Sequence, residues 1–415
     1  MVITGGIAVG AALWGSAVRS DQAAPTGPPT PVRLRAVATQ PTDQQLWQDL
    51  AVSLTEQEAA IQLVPEVIQL DGIALSLAAG EPTDLLAAPD SHVTALAATD
   101  GLAATADLLR GRNSPTRDRF VGRLFGSLSL EGVLYGLPWR WRGTALLLDV
   151  ATWQRAEIDL PPDHWRDDRW SLPVMKTAIA RLQQMTENTP VSHPFQGGAR
   201  WSDWLPWLWV NGAELWRHGA MSTALAEPAA VDALSRYAQW RTTPQPAAGS
   251  AGAIVQVEPT WRTVGRALAS GRAAARPLPR GARRTTLLRS DAVLLTGGSA
   301  QPDAARRAML DIATGAGQET VAADGAGFPV WRDTLAGRTL WEQWRETPGL
   351  VRTLRTFIDT GTYGAVPPYP SRWPEAERIL QRELAEALDG HAPLAVAVRS
   401  ASDALAPLLA ASRWP

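Results

Sequence analysis

The chain contains no cysteine. Disulfides, thiolate catalysis and cysteine metal sites are therefore excluded, as is a lipid-modified N-terminal cysteine, a common membrane anchor. Lysine is nearly absent too: Lys176 is the one lysine among 39 basic residues. Formal net charge is −2, which leaves neither a nucleic-acid footprint nor a polybasic membrane patch. Phenylalanine and tyrosine are scarce, at five and four. His92, His164, His193, His218 and His391 are scattered without ligand spacing, so there is no zinc motif. No nucleophile elbow, phosphate loop or dinucleotide glycine pattern occurs.

What is present is length, apolar content and tryptophan. The 415 residues exceed what one hydrophobic core holds, and 45% hydrophobic against 19% charged describes a globular chain of two or more lobes. Tryptophan reaches 19. Indoles can replace other aromatics in a core. They can also line a cleft, where flat apolar faces with a polar edge suit sugar rings. Both readings are open for each Trp.

Residues 1–18, MVITGGIAVGAALWGSAV, are apolar and uncharged, about the length of an export-signal core and short for a membrane span. The Pro-rich stretch 21–31 reads as a flexible spacer. Segments 1–31 are thus expected to be a signal or anchor followed by a linker. Beyond them, 32–37 alternates as a strand, and Leu46, Leu50 and Leu54 share a helix face. Further strands are expected at 61–67 and 84–88, with helices at 73–79 and, with breaks at Asp100 and Gly101, 92–109. This alternation predicts an α/β lobe with a largely parallel sheet. Later strands are expected at 134–138, 144–149, 253–257 and 287–295. Helices are expected at 170–186, 204–209, 229–240, 303–314, 374–388 and 402–411. Residues 139–142, Trp-Arg-Trp-Arg, read as a connector, and 244–252 as a loop.

Several segments, in order, carry a resemblance. They are Ala79-Gly80-Glu81-Pro82-Thr83-Asp84-Leu85-Leu86, Glu131-Gly132-Val133-Leu134-Tyr135-Gly136-Leu137-Pro138, the strand 144–149 and the segment 156–165. AIVQVEPTW at 253–261, RPLPRG at 276–281, the helix 304–310, Gly327-Phe328-Pro329-Val330 and the stretches 365–373 and 388–409 continue the series. Together they resemble the extracellular solute-binding proteins of sugar-type ABC importers, the maltose-binding-protein-like family. The chain departs from that pattern at Asp149, Ile254 and Glu258, which bears on the ligand more than on the fold.

The resemblance implies an α/β, two-lobed periplasmic-binding-protein-like fold of type II, with a ligand cleft between lobes joined by crossing strands. It places lobe one at 32–138 plus 287–330 and lobe two at 139–286 plus 331–415. The ligand-binding candidates are Asp90, His92, Trp139, Trp141, Arg142, Trp201, Trp204, Trp261, Trp331 and Trp373. Asp90 could accept sugar hydroxyls or cap a helix, and Arg142 would suit an acidic ligand. No cofactor, metal or catalytic residue is called for. The implied role is capture of a small carbohydrate-like solute for a membrane permease, by a monomer outside the cytoplasm. Two other readings remain: a sensor or interaction protein with the same fold, and a secreted glycoside hydrolase, for which no pair of carboxylates stands out.

Overall fold

The computed structural model describes residues 28–38, 43–57, 60–69, 72–73, 77, 79–110, 114–186, 195, 197–217, 222–241, 253–257, 265, 267–342 and 348–415. The signal or anchor reading, the 244–252 loop and Trp261 lie outside them, as does most of the helix expected at 73–79.

β1 (Thr30–Val37) alternates as its sequence requires. Val32, Leu34 and Ala36 are fully buried, while Arg35 turns outward to Glu66 and Glu81. α1 (Asp43–Gln57) packs Leu46, Trp47, Leu50 and Leu54 inward. β2 (Ile61–Ile68) and β3 (Leu85–Pro89) run parallel to β1 on either side. All five residues of β3 are buried, as befits a strand covered on both faces. α2 (Asp90–Ala97) follows without a linker, and Asp100 turns the chain at φ 56°. After 3₁₀ turns come β4 (Ser129–Leu130), β5 (Val133–Leu134) and β6 (Gly136–Gly143).

β7 (Ala145–Asp149) begins the second core. It is followed by α3 (Val150–Arg155), α4 (Leu172–Thr186), α5 (Trp201–Val210), α6 (Pro228–Trp240), β8 (Ile254–Val257) and β9 (Ala273–Arg276). β8 and β9 flank β7 antiparallel in a three-stranded sheet. The chain returns through β10 (Thr286–Leu295), α7 (Pro302–Ala313), α8 (Gly315–Asp324), β11 (Phe328–Pro329), α9 (Arg332–Ala336) and α10 (Arg338–Glu342). It ends in α11 (Pro348–Ile358), α12 (Thr360–Tyr363), β12 (Gly364–Ala365), α13 (Trp373–Leu388) and α14 (Leu394–Ala410).

The larger sheet has the order β11-β6-β10-β3-β1-β2, with β12 added beside β10. It is mixed rather than largely parallel, because β10 enters antiparallel between β3 and β6. Two apolar clusters correspond to two lobes, one built around β1, β3 and β10, the other around α4, α5, α13 and α14.

Two sequence expectations are corrected here. Residues 139–142 are no connector; they continue β6, and every residue of β6 is buried. The chain consequently leaves the first core near Gly143, five residues beyond Pro138. On the return, α9 and α10 stay with the first lobe: Trp331, Leu335, Leu340 and Trp341 pack in its cluster.

The crossings are tightly apposed. Thr144 donates its N–H to Leu287 O at 3.0 Å, and Thr286 Oγ1 donates to Thr144 O at 2.6 Å. A Cβ on Gly143 would collide with the Thr360 side chain, and one on Gly364 with Leu288. Glycine is required at both points by close approach, whatever its φ.

Candidate functional site

β6 and β10 carry a buried ionic cluster where the lobes join. Arg140 donates to both carboxylate oxygens of Asp43, at 2.6 and 2.9 Å, and through Nε to Asp291. Arg142 adds two bonds to Asp291, each 3.2 Å. All four side chains are nearly inaccessible. Burial would raise the Asp291 carboxyl, but Arg142 and Arg140 outweigh it and hold it well below the usual carboxylate range. Two guanidiniums facing two carboxylates satisfy the condition on which buried ions are tolerated. The Arg140 guanidinium also lies 4.5 Å over Trp139.

One residue along β10, the character changes. Asp90, at the C-terminal end of β3, is fully buried. Its Oδ2 accepts the Ser290 N–H at 3.2 Å and the Ser127 hydroxyl at 3.4 Å. Its Oδ1 has no partner among the described residues, nor has Ser290 Oγ. Burial pushes the Asp90 carboxyl up to about 7, against the pull of Arg289. Beside it, Arg289 lies 5.5 Å over the ring of Trp201 from the other lobe. Trp201 donates its indole N–H to Glu377 at 2.9 Å. It meets Trp373 at 4.9 Å and Tyr369 at 5.9 Å, both edge-on. Trp373 Nε1 is buried without a partner among the described residues. Thr94 of α2 reaches across to Pro370 O at 3.2 Å.

The lobe interface thus gathers an acceptor, a cation, hydroxyls and indole faces. A ligand with several hydroxyls and an apolar ring face could satisfy each. The lobes contribute different chemistry: Asp90, Ser290 and Arg289 come from the first, and the aromatic Trp201, Tyr369 and Trp373 from the second.

Of the ten candidates, Asp90, Trp201 and Trp373 meet here, with Arg142 adjacent through Asp291. His92 is half-buried on α2, its Nδ1 3.0 Å from Ser91 Oγ. Trp139 packs against Trp47, with ring centroids 4.6 Å apart. Trp141 packs against Phe328 and donates to Pro329 O at 2.9 Å. Both are in the first core, and Trp204 is in the second. Trp331 caps α9 and meets Phe120 edge-on at 5.0 Å. Ser290, Arg289, Tyr369 and Asp291 were not among the candidates. A signal for three of them existed: Arg-Ser-Asp interrupts the otherwise apolar strand TLLRSDAVLL.

Neither a family model nor a curated relative matches the sequence. Solved structures do match its fold. An ABC substrate-binding protein of Listeria monocytogenes, in complex with cycloalternan, superposes with a TM-score of 0.75 at 11% identity, covering 92% of this chain and 99% of that one. The sugar-binding protein MalE of Xanthomonas citri gives 0.75 at 15%, covering 92% and 98%. The cyclic alpha-maltosyl-1,6-maltose binding protein of Arthrobacter globiformis gives 0.73 at 16%, covering 92% and 99%. Over nine-tenths of its length, the chain has the two-lobed fold of sugar-binding proteins of this kind.

Proposed function

We propose that the chain is the solute-binding subunit of an ABC importer, which captures a sugar or oligosaccharide by closure of its two lobes. The observation that carries this is the lobe interface itself. Asp90 Oδ1, Ser290 Oγ and Trp373 Nε1 are buried there without partners among the described residues, next to the stacked pair Arg289 and Trp201. Leaving such atoms buried and unbonded is costly, and a polyhydroxylated ligand would bond them. The solved structures of similar fold support the choice of ligand, since the proteins they describe bind cycloalternan and a cyclic maltosyl-maltose.

Binding here needs no chemical step and no cofactor, and release to a permease requires that none occur. The lobes close about the crossings at Gly143 and Gly364, a hinge motion that gives the loaded protein a distinct shape. The chain acts as a monomer outside the cytoplasm, delivering solute to a membrane permease. Trp261, outside the described residues, is assigned to the second lobe's share of the site.

A thermal-shift screen of the full chain against mono- and oligosaccharides, polyols and amino acids tests this. The expected result is a concentration-dependent rise in Tm with one sugar class, lost in Trp201→Phe or Trp261→Ala. A protein that melts cooperatively and shifts with none of these solutes would overturn it.

A further inference from the structure

A second concave site lies away from the lobe interface, where lobe two meets the last crossing. It is a cavity of about 610 Å³ lined by His164, Arg166, Asp167, Arg355, Asp359 and Tyr363, with Trp165 and Thr362 completing the wall. That volume is within the range that holds small ligands.

The walls are built rather than incidental. Trp165 Nε1 donates to Thr356 O at 2.8 Å, and Thr356 Oγ1 donates to Asp163 O at 3.0 Å. The rings of Trp165 and Tyr363 stack at 5.5 Å with 10° between planes. These contacts fix the loop 163–167 against α11 and α12.

The charges inside are arranged with a gap. Asp359 is half-buried and faces Arg355, His164 and Arg166. Among the described residues none of the three bonds to it. Arg166 gives only its Nε, to Tyr363 Oη at 3.1 Å. Arg355 makes no ion pair with the described residues. The other carboxylate, Asp167, is already held by Arg169 at 2.6 Å. Two guanidiniums therefore present unused donors to one cavity, and one carboxylate presents an unused acceptor opposite them.

We propose that this cavity is a second ligand site, for a small hydroxylated carboxylate of the sugar-acid class. The ligand carboxylate bridges Arg166 and Arg355, the arrangement in which guanidinium binds best. Its hydroxyls donate to Asp359 and accept from Tyr363. Burial raises the Asp359 carboxyl, against the pull of Arg355, His164 and Arg166. The site does not depend on how the lobe interface is read, because no residue is shared between them.

Calorimetric titration of the full chain with glucuronate, glucose and inorganic phosphate tests the assignment. Glucuronate is expected to bind, and Arg355→Ala or Arg166→Ala to weaken it by about tenfold or more, the effect of losing a charge-assisted bond. Arg355→Lys retains charge and is expected to restore part of the affinity. Asp359→Asn is expected to reduce the preference for glucuronate over phosphate. Arg166 and Arg355 are exposed, so these variants should melt like the parent protein. Three results would each overturn the proposal: no glucuronate binding at millimolar concentration, unchanged affinity in Arg355→Ala, or phosphate or glucose binding as tightly as glucuronate and weakened as much by Arg355→Ala.

Discussion

Arg289 of the first lobe covers the indole face of Trp201 of the second, with its guanidinium carbon 5.5 Å from the ring centroid. A cation over an aromatic ring at this distance contributes about 0.5–2 kcal/mol, more as water is excluded. Because the partners belong to different lobes, that energy favours the closed arrangement. Arg289→Ala should therefore enlarge the radius of gyration measured by small-angle X-ray scattering without ligand. An unchanged scattering profile would mean the contact does not govern closure.

Asp90 makes stability depend on pH in an unusual direction for a carboxylate. Its folded-state value, about 7, lies above the ordinary one. Between the two values the folded chain holds a proton that the unfolded chain has lost. Stability from this group is accordingly full at low pH and falls as pH rises through roughly 4 to 7. Asp90→Asn should flatten that decline and raise Tm at pH 8 relative to the parent. Melting curves from pH 5 to 8 check both, and a parallel pair of profiles would contradict the assignment.

The ionic cluster predicts a large, directional penalty. Asp291→Asn leaves Arg140 with Asp43 alone and takes from Arg142 the carboxylate it bonds, in a buried site. Removing one partner from such a site costs about 3–5 kcal/mol. Urea denaturation should show a lower midpoint, with the slope preserved. A change below about 1 kcal/mol would place these charges in contact with solvent.

Gly143 tests the apposition of the crossings. Its Cβ would overlap the Thr360 side chain, so Gly143→Ala should destabilise by about 1–3 kcal/mol through overpacking. Thr360→Gly removes the obstructing atoms and should recover part of the loss in the double variant. Strictly additive effects in the thermodynamic cycle would show that the two positions do not touch.

Much of the scaffold was legible in local pattern. The alternation in 32–37 and the Leu46–Leu50–Leu54 stripe both specify a buried face, and each is buried as read. Asp90 was picked out by its position at the end of an apolar strand, and it is buried beside Ser290 and Ser127. The tryptophans of β6 were not. GLPWRWRG alternates like a strand, yet its arginines argue against burial unless their partners are known. Those partners, Asp43 and Asp291, are 97 and 151 residues from Arg140, and no local window contains them. The same distance hid Ser290 and Arg289, whose contacts, with Asp90 and with Trp201, lie far from them in sequence.

The placement of β10 has a consequence for how the chain acquires its structure. This strand fills the slot between β3 and β6 in the larger sheet, yet it is synthesised after the whole stretch from β7 to β9. Until it arrives, β3 and β6 share no neighbour, and the first lobe is left with an open, apolar edge. During translation that edge must wait while the second lobe's first half emerges. The vulnerable interval in biogenesis thus comes midway along the chain, when a chaperone able to shield an unpaired strand would matter most.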